Sequence, residues 1–385
     1  MAGGRMVIAG GGAAAHGAVA GMRRAGFAGE VLVVGREPLP PYQRPPLSKG
    51  YLLGTVSRAE LLLPPVDAVL RLGEEVVELA AERHAIRLGS GETIPYDRLL
   101  LATGARPRRL LPEERGLYLR DVDQADQLRR LLSAGRPLEV VGAGFIGCEV
   151  AAAARAGQVP VTLYEKLAQP LLRVLGLELG AWLAEVHRRN GVELRTGVAE
   201  PPMPGPATLV AVGSEPNLEL AQAAGLRCEQ GVLVDELGKT SAPDVYAAGD
   251  CARFWSLPLE ASVRVEHFQT ALHHGESVGA SMAGLERSFE EVPWFWSDQY
   301  GMNIQYVGAA LPWDETVVRG RFGEPPFTVF FLEGGRLRAA AGVDDGRTIS
   351  RARRLIASRA EVPEDVLRQS LADPAADLRE LAQRR

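Results

Sequence analysis

Two glycine-rich turns in the sequence have the residue types and the spacing that bind the phosphates of a dinucleotide. Each turn follows a short apolar run and precedes a helical pattern. The first glycine permits the tight bend, the second lets the backbone approach a pyrophosphate, and the third small residue lets helix and strand pack closely. The phosphates then meet unpaired N–H groups at the start of the helix. The motif residues are Gly10, Gly12 and Ala15 in the first elbow (residues 10–15) and Gly142, Gly144 and Gly147 in the second elbow (residues 142–147).

An acidic residue follows the next strand after each elbow. The segment PVTLYEK (160–166) carries Glu165, about 20 residues beyond the second elbow. A carboxylate there accepts hydrogen bonds from a ribose 2′-hydroxyl and repels a 2′-phosphate, so this elbow favours NAD over NADP, although Lys166 follows directly. The strand predicted after the first elbow, EVLVVG, is followed by Arg36 and Glu37.

A single elbow would be weak support for nucleotide binding, because glycine turns before helices also serve packing alone. Two copies, each followed by a second strand, indicate two dinucleotide-binding units. The chain has 385 residues, which is long for one core, so two or three domains are expected. Its 46% apolar and 24% charged residues are ordinary for a soluble globular protein.

Charge and composition exclude several classes of protein. The net charge of −5 gives no reason to expect nucleic acid binding. No run approaches the roughly 18 apolar residues of a membrane span, and the glycine-rich N-terminus does not resemble a signal peptide, so we expect a cytoplasmic protein. The cysteines Cys148, Cys228 and Cys251 form no C-x-x-C pair, which argues against a disulfide framework, a zinc site or a dithiol redox centre.

Two further segments are apolar strands that end in small-residue turns, YDRLLLATGARPRRL (96–110) and GKTSAPDVYAAGDCA (238–252). Asp250, after Gly249 and ahead of an expected helix, can accept hydrogen bonds from a polyhydroxyl chain. Together with the two elbows, this order resembles the two-dinucleotide flavoprotein reductases. In that superfamily the first elbow holds FAD and an inserted second one holds the nicotinamide cofactor.

Four other segments narrow the resemblance: PYQRPPLSKGYL (41–52), GAGFIGCEVAA (142–152), RVEHF (264–268) and VPWFWSDQY (292–300). Together they resemble the FAD-dependent ferredoxin reductases, the group of putidaredoxin reductase and the aromatic-ring dioxygenase reductases. The resemblance runs from residue 6 into the C-terminal segment SLADPAADLRELA.

The resemblance implies an α/β fold with two Rossmann-like dinucleotide-binding domains, of the glutathione-reductase type, and a C-terminal α+β reductase domain. We expect residues 1–107 and 229–291 to form a discontinuous FAD-binding domain. Residues 108–228 would form the inserted NAD-binding domain, and residues 292–385 the C-terminal domain.

The same resemblance implies that Lys49, in the proline-rich segment, lies beside the flavin ring near N5, with Arg44 close to the cofactor. Stiff proline backbone would hold a positive charge where hydride arrives, and this charge would stabilise the reduced, anionic flavin. Glu149 would pair with Lys49 and hold it in place. Trp296 would cover the flavin face, with Trp294 as a second candidate; an aromatic stripe is otherwise usually core.

The other site residues that the resemblance implies fall into two groups. Beside the first elbow, the FAD contacts are Ala14, Ala15, Glu37, Val77, Ala102, Thr103, Gly104, Arg120, Gly249, Asp250 and Phe268. Beside the second elbow and Glu165, the NAD contacts are Ile146 and Gly213.

Two departures from the family pattern stand out. Arg36 occupies the position of a family aspartate, so Glu37 is the expected anchor for the adenosine ribose of FAD. The segment RTGVAEPPMPGPATLVAVGSEPNL (195–218) lacks most of the antiparallel meander that family members have there. We expect the parallel sheet to survive this loss, because the meander lies on its face.

The implied activity is hydride transfer from NADH to FAD, followed by single-electron transfer to a small, acidic [2Fe–2S] ferredoxin that serves a monooxygenase or a ring-hydroxylating dioxygenase. The sequence has neither the C-x(4)-C of the disulfide reductases nor a cysteine near residues 42–47, where the NADH oxidases and CoA-disulfide reductases carry one. Two alternatives stay open, an NADH-dependent reductase of rubredoxin, quinone or oxygen, and a non-catalytic FAD- and NAD-binding protein.

The ferredoxin would bind transiently, and the reductase would be a monomer or a homodimer. The segment ISRARRLIASR (349–359) predicts a helix that carries Arg351, Arg353, Arg354 and Arg359. Such a basic face would steer an acidic partner at low salt. The alternative is an ordinary solvated helix face.

Overall fold

A computed structural model of the chain describes residues 4–110, 116–201 and 204–383. The strands, in chain order, are β1 (Arg5–Ala9), β2 (Glu30–Gly35), β3 (Val69–Leu72), β4 (Val76–Ala80), β5 (Ala85–Leu88), β6 (Thr93–Pro95), β7 (Arg98–Leu101), β8 (Ala105–Pro107), β9 (Leu138–Val141), β10 (Val161–Tyr164), β11 (Val192–Arg195), β12 (Thr208–Val210), β13 (Ser214–Pro216), β14 (Val232–Leu233), β15 (Val245–Ala247), β16 (Ala252–Ser256), β17 (Ala261–Val263), β18 (Trp294–Gln299), β19 (Met302–Gly308), β20 (Glu315–Arg319), β21 (Phe327–Glu333) and β22 (Arg336–Val343).

The helices, in chain order, are α1 (Ala13–Arg24), α2 (Gly50–Leu53), α3 (Arg58–Leu61), α4 (Val122–Ser133), α5 (Phe145–Ala156), α6 (Leu172–Arg189), α7 (Glu219–Ala223), α8 (Phe268–Met282), α9 (Gly346–Ser358), α10 (Glu364–Ala372) and α11 (Leu378–Leu381). Short 3-10 turns are formed by Pro45–Ser48, Ala81–Arg83 and Gly249–Cys251. No helix in the described part of the chain is both long enough and apolar enough to cross a membrane.

Contacts divide the described chain into two units. Unit 1 contains residues 4–43, 62–106 and 216–293. Unit 2 contains residues 44–61, 107–110, 116–201, 204–215 and 294–383. The domain boundaries that the sequence predicts stay a prediction, since these units are defined by contact alone.

The central sheet of unit 1 is parallel, with the strand order β15-β7-β1-β2-β3. Successive residues of a strand point to opposite faces, and both faces of a parallel sheet are normally covered. Met6 and Ile8 of β1 accordingly belong to one buried cluster, and Val7 and Ala9 belong to another. On the first face, α1 packs closely against α8.

Two small sheets complete unit 1, the antiparallel β4-β5-β6 and the mixed β14-β16-β17. One prediction is wrong here: Asp250 does not lead directly into a helix. Asp250 lies in a 3-10 turn, strand β16 follows at Ala252, and helix α8 begins only at Phe268. Residues 252–256, ARFWS, bury alternate side chains, which is the period of a strand.

Unit 2 contains a second parallel sheet, with the order β11-β10-β9-β12. The connection that the sequence predicts to be shortened runs from β11 to β12, and residues 202–203 of it lie outside the described part of the chain. Strand β12 pairs directly with β9 in parallel register, so the sheet is continuous across the shortened segment.

The C-terminal part of unit 2 is an antiparallel sheet with the order β18-β19-β22-β21-β20, accompanied by helices α9, α10 and α11. The strand predicted from FTVFFLE is β21, with the predicted bounds. Two parallel-sheet, Rossmann-like regions and a C-terminal antiparallel sheet are the predicted fold class, which is confirmed.

Candidate active site

The first elbow combines one glycine that packing requires with one that faces open space. Gly10 has φ +124°, and a Cβ built on it would lie 2.1 Å from the carbonyl oxygen of Ala102. At Gly12 a Cβ would meet no described atom within 4 Å. Helix α1 begins at the next residue, and its N-cap residue, Gly12, has no side chain that could cap the first N–H groups. The loop therefore has the room and the unpaired donors that a pyrophosphate needs.

The turn after β15 meets the start of α1. Gly249 has φ +77°, and a Cβ there would lie 2.8 Å from the Cβ of Ala14. Asp250 is buried, and its backbone carbonyl accepts a hydrogen bond from Arg264 at 3.2 Å. The structure thus places Gly249, with Asp250 directly after it, beside Ala14 of the first elbow, and the contact of these residues with FAD stays a prediction.

The ATG segment is fixed by a residue that sequence reasoning missed. Asn217 donates from Nδ2 to the carbonyl of Thr103 at 2.7 Å, and Thr103 Oγ1 donates to the carbonyl of Asn217 at 2.9 Å. The backbone N–H of Asn217 donates to Gly104 O at 3.0 Å. These three bonds hold the turn that follows β7, whose first residue, Ala102, contacts the first elbow. The partner lies more than a hundred residues along the chain, and no local pattern indicates it.

Arg36 and Glu37, the two residues that follow β2, are the candidates for holding a ribose. Glu37 is half-buried and accepts a hydrogen bond from the hydroxyl of Tyr42. Arg36 is exposed, and its Nη1 atom lies 3.7 Å from Glu75 Oε1. Glu37 is therefore the better placed of the two for a hydroxyl ligand. Val77 is 45% exposed on strand β4, and Phe268 is half-buried as the first residue of α8; their contact with a cofactor stays a prediction.

The second elbow repeats the glycine geometry of the first. Gly142 has φ +101°, and a Cβ there would lie 2.4 Å from the carbonyl of Ala211. A Cβ at Gly147 would lie 2.0 Å from Gly142 O, so only glycine lets α5 approach β9 this closely. At Gly144 the nearest atom to a Cβ would be Ala211 O, at 4.0 Å. Helix α5 begins at Phe145, and its N-cap residue, Gly144, has no side chain that could cap the first N–H groups, so this elbow also fits a pyrophosphate.

Glu165 lies against the second elbow. Its carboxylate accepts from the backbone N–H of Ala143 at 2.7 Å and from that of Leu167 at 2.8 Å. A carboxylate has about four acceptor positions, so two bonds to the backbone orient it and leave capacity for a ribose. Ile146 is 42% exposed on the first turn of α5. Gly213 has φ +101°, and its carbonyl accepts from Arg108 N.

Lys49 and Glu149 form the ion pair that the resemblance implies. Their Nζ and Oε2 atoms are 2.8 Å apart, and the side chains are only 12% and 5% exposed. Ser48 Oγ donates to the same carboxylate, and Ser297 Oγ donates to Glu149 Oε1 at 2.7 Å. The ammonium also donates to the carbonyl of Pro45, at 3.3 Å.

The proline-rich segment places Lys49 by forming a rigid 3-10 turn, Pro45–Ser48, directly before it. Proline fixes φ near −65°, so this turn has little freedom. After Lys49, the hydroxyl of Tyr51 donates to Asp126 on α4 at 2.6 Å, and Arg129 lies over the Tyr51 ring. The lysine is therefore held from both sides along the chain.

Arg44 begins the same turn and is tied to another predicted site residue. Its guanidinium donates to the carbonyl of Arg120 at 2.6 Å. The backbone N–H of Arg120 in turn donates to Gln124 Oε1 at 2.7 Å, at the start of α4. The structure thus brings Arg44 and Arg120 together within unit 2.

Strand β18 presents aromatic residues on both faces. Phe295 packs edge-on against Phe145 of the second elbow, with ring centroids 4.5 Å apart. Trp294 and Trp296 lie on the opposite face, with ring centroids 5.8 Å apart, and Arg353 lies over the Trp294 ring at 5.9 Å. Both tryptophans are half-buried, so each keeps an accessible surface.

The cysteines lack the surroundings of a redox centre. Cys148 and Cys251 are fully buried, and burial raises the pKa of each thiol above its ordinary value. Cys228 is half-buried, and burial also raises its pKa. A raised pKa leaves little thiolate, which is the reactive form. Cys148, in the second elbow's helix, is the small buried apolar residue that the sequence predicts.

Comparison with known proteins agrees with this geometry. The chain matches the family described as pyridine nucleotide-disulphide oxidoreductase over residues 4–200 and 203–275, and the reductase C-terminal family over residues 294–382. This protein belongs to the pyridine nucleotide-disulphide oxidoreductase family. The predicted resemblance is confirmed, as is the prediction of an oxidoreductase that uses FAD and NAD(H), the cofactors that this family implies.

Several relatives are similar over nearly the whole chain. Putidaredoxin reductase CamA of Pseudomonas putida is 36% identical, over 94% of this chain and 94% of its own. The ferredoxin–NAD(+) reductase component of the anthranilate 1,2-dioxygenase system of Burkholderia cepacia is 37% identical, over 97% of this chain and 98% of its own. Among solved structures, the covalent putidaredoxin reductase–putidaredoxin complex has a TM-score of 0.91 at 34% identity, covering 99% of this chain and 98% of that one.

Proposed function

We propose that this protein takes hydride from NADH and passes single electrons to a ferredoxin. Of the relatives named above, one is a putidaredoxin reductase and the other a ferredoxin–NAD(+) reductase component, and one structural neighbour is a covalent complex of putidaredoxin reductase with putidaredoxin. The proposed partner is a small, acidic [2Fe–2S] ferredoxin that serves a monooxygenase or a ring-hydroxylating dioxygenase. A cytoplasmic location and a monomeric or homodimeric state belong to the same proposal.

The observation that carries this function is the buried ion pair of Lys49 and Glu149. Bound FAD exchanges electrons in pairs with a nicotinamide and singly with an iron–sulfur protein, so the reductase needs it between the two. Lys49 would place its ammonium beside the flavin ring, where it stabilises the negative charge of the reduced form. Glu149 would hold the ammonium in position, because its own side chain is fixed by two serine hydroxyls.

The nicotinamide cofactor would be held by the second elbow. The N–H groups at the start of α5 would bind its pyrophosphate, and Glu165 would accept hydrogen bonds from the adenosine ribose. Ile146 is exposed beside these donors and would pack on the cofactor, and Gly213 would allow it a close approach. NADH would be preferred over NADPH because the Glu165 carboxylate repels a 2′-phosphate.

FAD would be held by unit 1 through the first elbow, with its pyrophosphate at the start of α1. Glu37 would bind the adenosine ribose, and the buried Asp250 would accept from the polyhydroxyl chain of the flavin. Arg44, Arg120 and Trp296 are proposed contacts of the flavin. The further proposed contacts are those of Val77, Ala102, Thr103, Gly104 and Phe268.

Helix α9 is the proposed docking surface for the ferredoxin. It spans Gly346–Ser358, so Arg359 caps the helix rather than lying within it. Arg354 and Arg359 are exposed. The Arg351 side chain is only 16% exposed, and its Nε atom lies 3.8 Å from Asp377 Oδ1, so it is poorly placed to meet a partner. The basic face that could steer an acidic protein therefore centres on Arg354.

Rapid mixing of the purified holoprotein with NADH tests the proposal. Loss of the flavin absorbance at 450 nm within milliseconds to seconds is expected for a reductase, on the timescale of ordinary turnover numbers of roughly 1–1,000 per second. Steady-state turnover is then compared with small [2Fe–2S] ferredoxins, rubredoxin, a quinone and oxygen. Preference for a ferredoxin supports the proposal. Preference for another acceptor rejects a ferredoxin as the partner but leaves the proposal of an NADH-dependent reductase intact. A flavin that NADH reduces only over minutes would indicate a non-catalytic binding protein.

A further inference from the structure

A chain of buried side chains runs from Glu149 away from Lys49, and the functions above do not use it. Ser297 Oγ lies 2.7 Å from Glu149 Oε1, and Gln299 Nε2 lies 3.0 Å from Ser297 Oγ. His187 Nε2 lies 3.1 Å from Gln299 Oε1, and the Tyr300 hydroxyl lies 2.8 Å from His187 Nδ1. Four successive hydrogen bonds therefore connect Tyr300 to the carboxylate that binds Lys49.

The direction of every bond in this chain follows from its chemistry. The amide nitrogen of Gln299 can only donate, so it donates to Ser297, which passes its own hydrogen to the carboxylate. The amide oxygen then accepts from His187 Nε2–H. In a neutral imidazole the other nitrogen is an acceptor, so His187 Nδ1 accepts from the Tyr300 hydroxyl. All the donors point toward Glu149.

Burial keeps this direction fixed. Ser297 and His187 are fully buried, and Gln299 is 1% exposed. Burial lowers the pKa of His187 to about 4, so its imidazole is neutral at ordinary pH and keeps one tautomer. Burial raises the pKa of Tyr300, so its hydroxyl keeps its proton. Bonds in a buried, fully paired network polarise one another and rigidify it.

Three elements of unit 2 contribute to the chain. Ser297 and Gln299 are two residues apart on β18 and share a face, while Glu149 is on α5 and His187 is near the end of α6. The helices could pack on β18 through apolar residues, as Phe145 does with Phe295. A line of polar side chains that ends on the partner of Lys49 calls for another explanation.

We propose that Ser297, Gln299, His187 and Tyr300 are positioning residues, which orient the Glu149 carboxylate and through it the Lys49 ammonium. This inference rests on the proposed function, in which Lys49 serves the flavin. Ser297 donates to Oε1, while Oε2 accepts from Ser48 and binds Lys49, whose ammonium donates another of its three N–H bonds to the carbonyl of Pro45. One N–H of the ammonium is then left for the cofactor.

Replacing Ser297 by alanine removes the donor to Oε1. The carboxylate then has one hydrogen bond fewer to spread its negative charge and to fix its orientation, so it offsets more of the ammonium's field at the flavin. The expected result is a more negative midpoint potential of bound FAD and a reduction by NADH slowed on the order of tenfold, the effect of one hydrogen bond to a charged group. Ser297→Thr keeps the hydroxyl and should restore both quantities toward those of the unaltered protein.

Gln299→Leu tests the middle of the hydrogen-bond chain without adding a charge. Leucine has a similar volume but removes both the acceptor of His187 and the donor to Ser297, so the serine hydroxyl is less polarised and its bond to Glu149 weakens. The effect on the potential should have the same sign as that of Ser297→Ala and be smaller. Tyr300→Phe removes only the outermost donor, keeps the ring, and should produce a smaller shift of that sign.

The matched control is Thr328→Val. Thr328 is a fully buried strand residue of the same antiparallel sheet, and its hydroxyl also donates to a carboxylate, Asp345 Oδ2, at 2.8 Å. Thr328→Val removes a comparable buried hydrogen bond that is not part of the series from Tyr300 to Glu149. It should lower stability and leave the flavin potential unchanged.

The nuclear magnetic resonance signal of the Lys49 ammonium separates this inference from the proposed function. Lys49, Lys166 and Lys239 are the only lysines in the sequence, so the holoprotein labelled with ¹⁵N-lysine gives few ammonium signals. Lys166 and Lys239 are exposed and serve as internal references. The chain variants should shift the Lys49 signal, and Thr328→Val should not.

Suppose that Ser297→Ala, Gln299→Leu and Tyr300→Phe change neither the Lys49 signal nor the flavin potential more than Thr328→Val does. The hydrogen-bonded side chains would then serve packing only, and the inference would be wrong. If the Lys49 signal shifts while the unaltered protein fails to reduce any ferredoxin, the chain positions the lysine and the proposed function fails instead. Should Ser297→Ala not fold, Tyr300→Phe decides the matter by the same two measurements.

Discussion

The Glu149 carboxylate and the Lys49 ammonium are 2.8 Å apart, and both side chains are buried almost completely. Removing two charges from water costs several kcal/mol for each ion, and their attraction offsets this only with good geometry and additional hydrogen bonds. Here two serine hydroxyls supply such bonds. The pair therefore stabilises the fold weakly, while the loss of either partner leaves an uncompensated buried charge.

Replacing Lys49 by methionine should lower the free energy of unfolding by about 3–5 kcal/mol, because the buried Glu149 carboxyl is left without its cation. The double change Lys49→Met with Glu149→Leu should recover most of that loss. Urea unfolding of both variants measures the difference. Equal stability of the single and double variants would mean that the pair is more solvated than its burial indicates.

Two glycines of the second elbow should respond oppositely to alanine. Gly147→Ala places a Cβ 2.0 Å from Gly142 O, so α5 must move away from β9 and the protein should be strongly destabilised. Gly144→Ala places a Cβ 4.0 Å from its nearest neighbour, so the fold should be kept. The added methyl would instead occupy the space of the pyrophosphate, and NADH binding should weaken at least tenfold. Thermal unfolding and NADH titration separate the two effects.

The same substitution in the first elbow is the matched control. At Gly12 a Cβ would meet no described atom within 4 Å, so Gly12→Ala should also fold. It should lose FAD and leave NADH binding to the second elbow intact, which is the reverse of Gly144→Ala. If both variants lost the same cofactor, the assignment of one cofactor to each elbow would be wrong.

The parts that local pattern could predict are those in which neighbours along the chain determine the structure. Both elbows, the strands β1, β2 and β9, and β21 follow from apolar runs and glycine spacing. The pairing of Lys49 with Glu149 came from the resemblance and is present. Asn217 and the chain of Gln299 and His187 were missed, because their partners lie more than a hundred residues away. The strand after Asp250 was missed because five residues are too short for their alternation to decide between strand and helix, and the pairing with β17 stabilises the strand.

Glu165 should determine the choice between NADH and NADPH. Glu165→Ala removes the acceptor for the ribose and also the acceptor for the backbone N–H of Ala143. KM for NADH should therefore rise by roughly tenfold, the effect of about one charged hydrogen bond. The ratio of kcat/KM for NADPH to that for NADH should rise as well, because the repulsion of a 2′-phosphate is gone. Steady-state rates with ferricyanide measure both. Lys166→Ala is the control, and it should lower the use of NADPH alone.

Charge reversal on α9 should slow the reduction of ferredoxin selectively. Arg354→Glu reverses an exposed charge on the proposed docking face, so kcat/KM for an acidic ferredoxin should fall by roughly tenfold at low salt, with a smaller effect at high salt. Arg321→Glu changes the net charge equally at an exposed position outside α9 and is the control. Ferricyanide reduction should be similar in both variants. An equal loss with both acceptors, or the same loss in Arg321→Glu, would reject α9 as the docking surface.

Buried histidines should make the stability depend on pH. His274 packs between Phe254 and Phe289, with ring centroids 4.6 Å and 5.1 Å away, and burial lowers its pKa to about 4. In the unfolded chain the pKa is about 6.5, so between about pH 6.5 and 4 the unfolded state binds a proton that the folded state does not. Stability is therefore lost as the pH falls through this window, by about 1.4 kcal/mol per pH unit for each such histidine.

His187 and His267 have the same lowered pKa, about 4, and contribute in the same direction. His274→Gln removes one contribution. Urea unfolding at pH 7.5 measures the free energy that the substitution loses through packing alone, because there the imidazole is neutral in both the folded and the unfolded protein. Between pH 6 and 4.5 the stability of the variant should fall less steeply than that of the unaltered protein, by about 1.4 kcal/mol per pH unit. Parallel curves would mean that His274 takes up its proton in the folded protein as readily as in the unfolded chain.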